Sequence, residues 1–210
     1  MSFSEMEIQI EPANIKDADA AAKLTFMAYH KFSYDIFGNI GEHAATENFK
    51  QLWLHGDNRF GCHYSYIAKV NGEVIGLMTC YKAGLIKKLV APTLWQLLRI
   101  GKFNFVRHFI TNIRNFYYFA KSDDILPDEF YVATLAVTPE YRGQGVGAEM
   151  LRYAHKLAQK ADLGRCTLHV SAENKSGIRF YERNGFKKVE PKSAKPTYFR
   201  MVYSPNHVIV

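Results

Sequence analysis

The sequence has little cysteine. Cys62, Cys80 and Cys166 are odd in number and far apart, so neither a disulfide framework nor a zinc motif can be read from them. A reducing compartment is the default for such a chain. The N-terminus lacks a basic segment leading into an apolar run, so nothing reads as a secretion signal. There is also no uninterrupted apolar stretch long enough to cross a bilayer, and a cytoplasmic protein is the expectation. The most telling absence is local: from Gly84 to Ser122 there is no Asp or Glu, against seven Lys or Arg. Elsewhere twenty basic residues balance twenty acidic ones, so the formal excess of +7 resides in this one segment. A field that confined concerns partners rather than fold.

What is present is aromatic. Fifteen Phe and thirteen Tyr in 210 residues point to a packed globule and not a disordered chain. The length fits a single domain over 1–210 with an insertion at about 84–128. Ile8–Glu11 reads as a strand ended by Pro12, followed by helical periodicity from Ile15 to about Phe32 and again over His43–His55. Tyr64–Val70 and Val74–Tyr81 flank Asn71-Gly72, a hairpin signal in which both turn residues tolerate positive φ. Phe130–Val137 and Cys166–Asn174 read as further strands, and the tail continues through Phe186–Glu190, a Pro/Lys/Ser turn, and Tyr198–Tyr203. The inserted stretch predicts one or two amphipathic helices with a break at Gly101. Three readings of it stay open: a cap packed on the sheet, a lid shaping an acceptor site, or attachment to an anionic membrane surface. No nucleic-acid-reading motif accompanies its charge.

Between the strand at Phe130–Val137 and a helix patterned by Met150, Leu151, Ala154, Leu157, Ala158 and Ala161 lies Tyr141-Arg142-Gly143-Gln144-Gly145-Val146-Gly147. Glycines at a helix start leave backbone N–H groups unshielded, and the helix dipole adds positive potential there, so the turn suits phosphate. It is not a dinucleotide fingerprint, because the third glycine comes one residue early. Nor is it a P-loop, because no Lys-Ser or Lys-Thr follows. What remains is R-x-x-G-x-G.

The chain resembles the GCN5-related N-acetyltransferase (GNAT) superfamily in two motifs. Val137, Pro139, Arg142, Gly145 and Gly147 match V-x-P-x-x-R-x-x-G-x-G; Asn174, Phe180, Tyr181, Gly185 and Phe186 match N-x-x-A-x-x-[LF]-Y-x-x-x-G-F. Gly177 stands where alanine is usual. The resemblance implies an α/β (α+β) fold: a mixed, mostly antiparallel twisted sheet flanked by helices, here with a helical insertion between strands 3 and 4. It implies acetyl-CoA as cosubstrate, held by the amides of Arg142, Gly143, Gln144, Gly145, Val146, Gly147 and Ala148. Backbone groups of Leu135, Ala136 and Val137 would meet the pantetheine arm, and the Asn174 side chain would bond the same arm. Tyr181 would direct its phenol at the sulfur and protonate the leaving thiolate.

The base that deprotonates the amine does not carry over. Where many relatives have glutamate, six residues before Val137, this chain has Tyr131. Glu173 and His169 are the catalytic candidates, with Glu129 a further local one. The expectation is direct acetyl transfer to a primary amine of a small molecule or a peptide, without a metal, by a monomer or homodimer. The alternatives are a non-catalytic acyl-CoA-binding or sensing module, a hydroxyl acceptor, or a longer acyl group.

Overall fold

The computed structural model describes residues 7–111, 124–190 and 197–205. The middle of the insertion, 112–123, and the stretch 191–196, where the sequence suggests a turn, lie outside them. Seven strands form one sheet: β1 (Gln9–Pro12), β2 (Ser65–Val70), β3 (Glu73–Lys82), β4 (Glu129–Val137), β5 (Arg165–Ser171), β6 (Lys187–Lys188) and β7 (Tyr198–Tyr203), in the order β1-β2-β3-β4-β5-β7-β6. Every pairing is antiparallel except β4 with β5. That one parallel pair needs a crossover, which the helix α4 (Val146–Lys160) supplies. Pro12 is the last residue of β1, so the strand ends at the proline as the sequence suggests, and an edge strand tolerates it there because its outer side needs no donor.

The two faces of the sheet are covered differently. Helix α4 buries Val146, Met150, Leu151, Ala154 and Ala158 against Val132, Leu168 and Val170. The short helix α5 (Lys175–Arg183) adds Ile178 to the same cluster. Truncating a fully buried side chain such as Leu151 to alanine would cost about 3 kcal/mol. On the other face lie α1 (Ala18–Phe37) and α2 (Glu42–Leu54), which bring Ala21, Leu24 and Trp53 against Ile67, Leu77 and Ala136.

The insertion begins with α3 (Ile86–Thr111), a continuous helix that runs through Gly101 without the expected break. Gly costs a helix about 1 kcal/mol relative to Ala, and the burial of Ile86, Leu89 and Leu97 outweighs it. Pro92 also lies within α3. No helix among the described residues is long and apolar enough to cross a membrane.

Candidate active site at the splayed strand pair

Strands β4 and β5 pair only from Glu129↔Arg165 to Val132↔Leu168. Beyond that point both continue, β4 to Val137 and β5 to Ser171, without partnering each other. A wedge therefore opens in the middle of the sheet, lined on one side by unpaired backbone. Which groups line it follows from the register with β3. Thr138 N–H donates to Ile75 C=O at 2.9 Å beside the pair Gly76↔Val137, so Ala136 and Thr134 turn their backbone groups toward β3. By the period of two, those of Leu135 and Val137 face the wedge. Two neighbours occupy part of this edge. The Tyr29 hydroxyl donates to Ala133 C=O at 3.1 Å, and Arg142 Nε donates to Val137 C=O at 3.1 Å. The Arg142 guanidinium thus lies back over the end of β4, also reaching Met27 Sδ at 3.2 Å, rather than into the glycine turn.

The turn itself stands at the mouth of the wedge. Gly143 and Gly145 have φ of 75° and 85°, and nothing lies within 4 Å of where a Cβ would sit on either. Gln144 closes the turn by donating to Glu140 C=O at 2.8 Å. From Gly143 to Ala148 no backbone N–H meets an acceptor among the described residues; the first bond of α4 is Glu149 N–H to Gly145 C=O at 3.0 Å. Helix α4 has no side-chain cap. Gly147 answers a different demand, because a Cβ there would lie 3.0 Å from the Phe180 ring of α5.

At the start of α5 the Asn174 oxygen accepts from Gly177 N–H at 2.8 Å and from the Ser176 hydroxyl at 3.1 Å. A Cβ on Gly177 would fall 2.5 Å from Asn174 Nδ2, so glycine at that position accommodates the cap. Tyr181 packs edge-on against Phe186 and Phe180, with ring centroids 5.9 and 5.2 Å away. Burial pushes its phenol up to about 12, so it is neutral throughout the physiological range.

At the throat of the wedge, on the face covered by α1, the first β5 residue past the last pair is His169. Its Nε2 lies 2.8 Å from Asp124 Oδ2, and its Nδ1 lies 3.5 Å from the Tyr131 hydroxyl. The hydrogen bond from His169 holds the Asp124 carboxyl below the usual aspartate range. With Nε2–H donating to a carboxylate, the Nδ1 lone pair faces Tyr131 and the wedge. Burial raises the pKa of Tyr131 and Tyr29, the latter to about 12, so both remain phenols. Sequence reasoning missed Asp124, because it lies 45 residues before His169. Glu173 is exposed in the turn after β5, within electrostatic reach of Tyr198. Glu129 is fully buried; Arg200 Nη2 donates to both of its carboxylate oxygens, at 2.6 and 2.7 Å, and Leu126 N–H donates to Oε2 at 3.1 Å. That engagement makes it a structural anchor of β4 to β7.

Residues 27–186 match the profile of the acetyltransferase (GNAT) family, and the chain belongs to that family. Among curated proteins it is similar to N-alpha-acetyltransferase 50 of Danio rerio, 34% identical over 80 residues that cover 38% of this chain and 46% of that one. The chain thus spans about half the length of that relative. Among solved structures it is similar to an N-acetyltransferase from Staphylococcus aureus Mu50, with a TM-score of 0.72 at 17% identity, covering 92% of this chain and 99% of that one. A second is PaiA N-acetyltransferase from Thermoplasma acidophilum in complex with coenzyme A, with a TM-score of 0.56 at 16% identity, covering 95% and 99%. Identities this low speak for the fold alone.

Proposed function

We propose that this chain transfers the acetyl group of acetyl-CoA directly to a primary amine, borne by a small molecule or a peptide N-terminus. The observation that carries the reading is the row of free amides from Gly143 to Ala148 at the mouth of a wedge between β4 and β5. Anion-binding amides beside an unpaired strand edge fit a ligand with a diphosphate at one end and an amide-bearing arm that pairs with a strand. In this reading Leu135 and Val137 supply the edge, while Ala136 supports it from its bonds to β3. The Val137 N–H polarises the thioester oxygen, as its carbonyl is already taken by Arg142.

The amine nitrogen attacks the thioester carbon, a C–N bond forms, and the C–S bond breaks. The proton lost by nitrogen goes to His169 Nδ1, directly or through one water, while Asp124 holds the ring and its tautomer. Tyr181 donates to the departing sulfur. With its pKa near 12 it is a better hydrogen-bond donor than a full proton source, so its expected share is modest. Glu173 is the second candidate base and stands exposed in the turn after β5.

The deciding experiment follows free thiol released from acetyl-CoA across a panel of monoamines, polyamines, alcohols and short peptides. Release with amines and none with alcohols supports the reading; tight acetyl-CoA binding without release to any acceptor would replace it with a sensing role. Tyr181→Phe should lower kcat about tenfold and leave acetyl-CoA affinity within a few-fold. Unchanged turnover would remove Tyr181 from the chemistry.

A further inference from the structure

Helix α3 is amphipathic in an unusual sense. Its inner side is anchored, with Leu89, Thr93 and Leu97 buried at 4%, 0% and 1% exposure. Thr93 also accepts from Arg59 N–H at 3.1 Å, so the helix cannot roll freely. The outer side carries Lys87, Lys88, Ala91, Trp95, Leu98 and Arg99, all exposed. At 3.6 residues per turn these fall within one sector of about 120°. Trp95 is 62% and Leu98 39% exposed, an apolar pair set between three cations. Further along, Ile110 is 65% exposed. No acidic residue occurs anywhere from Gly84 to Ser122 to neutralise this side.

We propose that this outer face of α3 docks the protein on an anionic lipid surface. A solvated cap has no use for an exposed tryptophan and leucine. A tryptophan flanked by cations on a single convex helix suits the boundary between headgroups and acyl chains, where the ring has an apolar and a wet side at once. Three cations and an apolar pair share this face with no acidic residue on it, which is the charge complement of an anionic lipid surface. The binding is peripheral: the cations supply attraction and Trp95 and Leu98 supply shallow insertion.

The test mixes the full chain with phosphatidylcholine vesicles, with or without about one-third phosphatidylserine. Co-sedimentation and tryptophan emission are both read. The chain has two tryptophans and Trp53 is 1% exposed, so a change in emission reports Trp95. The expected result is binding to the anionic vesicles alone, with a blue shift, and loss of binding when salt shortens the screening length from about 10 to about 3 Å. Lys87→Gln, Lys88→Gln and Arg99→Gln should each weaken binding about fivefold. Trp95→Ser should weaken it while leaving thiol release in vesicle-free solution unchanged, which shows the variant folded. No sedimentation at low salt, equal binding to neutral vesicles, or sedimentation without an emission change would each overturn the proposal.

Discussion

Two helices follow strands in the second half of this protein, and they begin in opposite ways. Helix α5 is closed by its own sequence: Asn174 folds its oxygen onto Gly177 N–H. Helix α4 is left open, with Gly145 in the left-handed region at its start and no side chain over its amides. Both starts stand near the same wedge, and the fold satisfies one and leaves the other bare. A capping side chain at a helix start is worth about 1 kcal/mol, so leaving it out has a stability cost. Retaining an uncapped start beside two positive-φ glycines makes sense where something else brings the acceptors.

The strongest way to break this contrast is Gly145→Glu. The site has open space for a side chain, so the fold should survive with a left-handed penalty of about 1–2 kcal/mol. A carboxylate would then occupy the place proposed for the diphosphate, and acetyl-CoA affinity measured by calorimetry should fall at least about 100-fold. Gly145→Ala is the control and should lose far less. Equal affinity in the two variants would mean that α4 is open for no ligand.

His169→Gln comes next, because it separates holding the cosubstrate from using it. We expect kcat to fall about 100-fold with acetyl-CoA affinity unchanged. Asp124→Asn should fall in the same direction by less. Loss of affinity in place of turnover would move His169 from the acceptor chemistry to the cosubstrate side.

A third effect lies further along α4. His155 of α4 stacks on Tyr203 at 3.8 Å and faces Phe186, just past α5, at 5.8 Å. Burial pulls its pKa from 6.5 down to about 4. The unfolded chain takes a proton on this ring below about pH 6.5 and the folded one does not until about 4, so stability falls as pH drops through that window. Because the ring is only part-buried, the expected loss is on the order of 2 kcal/mol. Thermal unfolding of His155→Phe should show a flatter pH dependence between those values.

The smallest effect sharpens the contrast from the other side. Asn174→Ala should cost about 1 kcal/mol in unfolding experiments. If Asn174 also serves the cosubstrate arm, affinity falls as well; if it is only a cap, affinity stays.

Much of this was readable in one dimension. The turn from Arg142 to Gly147 could be found because its signals are local: a β-branched run, glycines, then apolar residues at helical spacing. The fold class came from the family resemblance that the two motifs carry, and the order of the segments agreed with it. Asn174 carried two meanings in the sequence, cap or ligand contact, and the structure puts its oxygen on Gly177. Gly101 read as a break, yet α3 continues through it, because local propensity is weak against buried neighbours on the same helix. The base was the least legible part. Tyr131 stood where a glutamate was looked for, and its meaning depends on facing His169 across the parallel register Tyr131↔Thr167.

The amino-acid order alone determined where backbone donors would be exposed, since helix starts and glycine turns are made by neighbours in the chain. Which carboxylate meets which imidazole was decided only when β4 and β5 came together. So was the choice of unpaired edge: Leu135 and Val137 face the wedge because β3 had already claimed the alternate groups. Contacts between residues distant in sequence depend on strand register, and no local pattern encodes that.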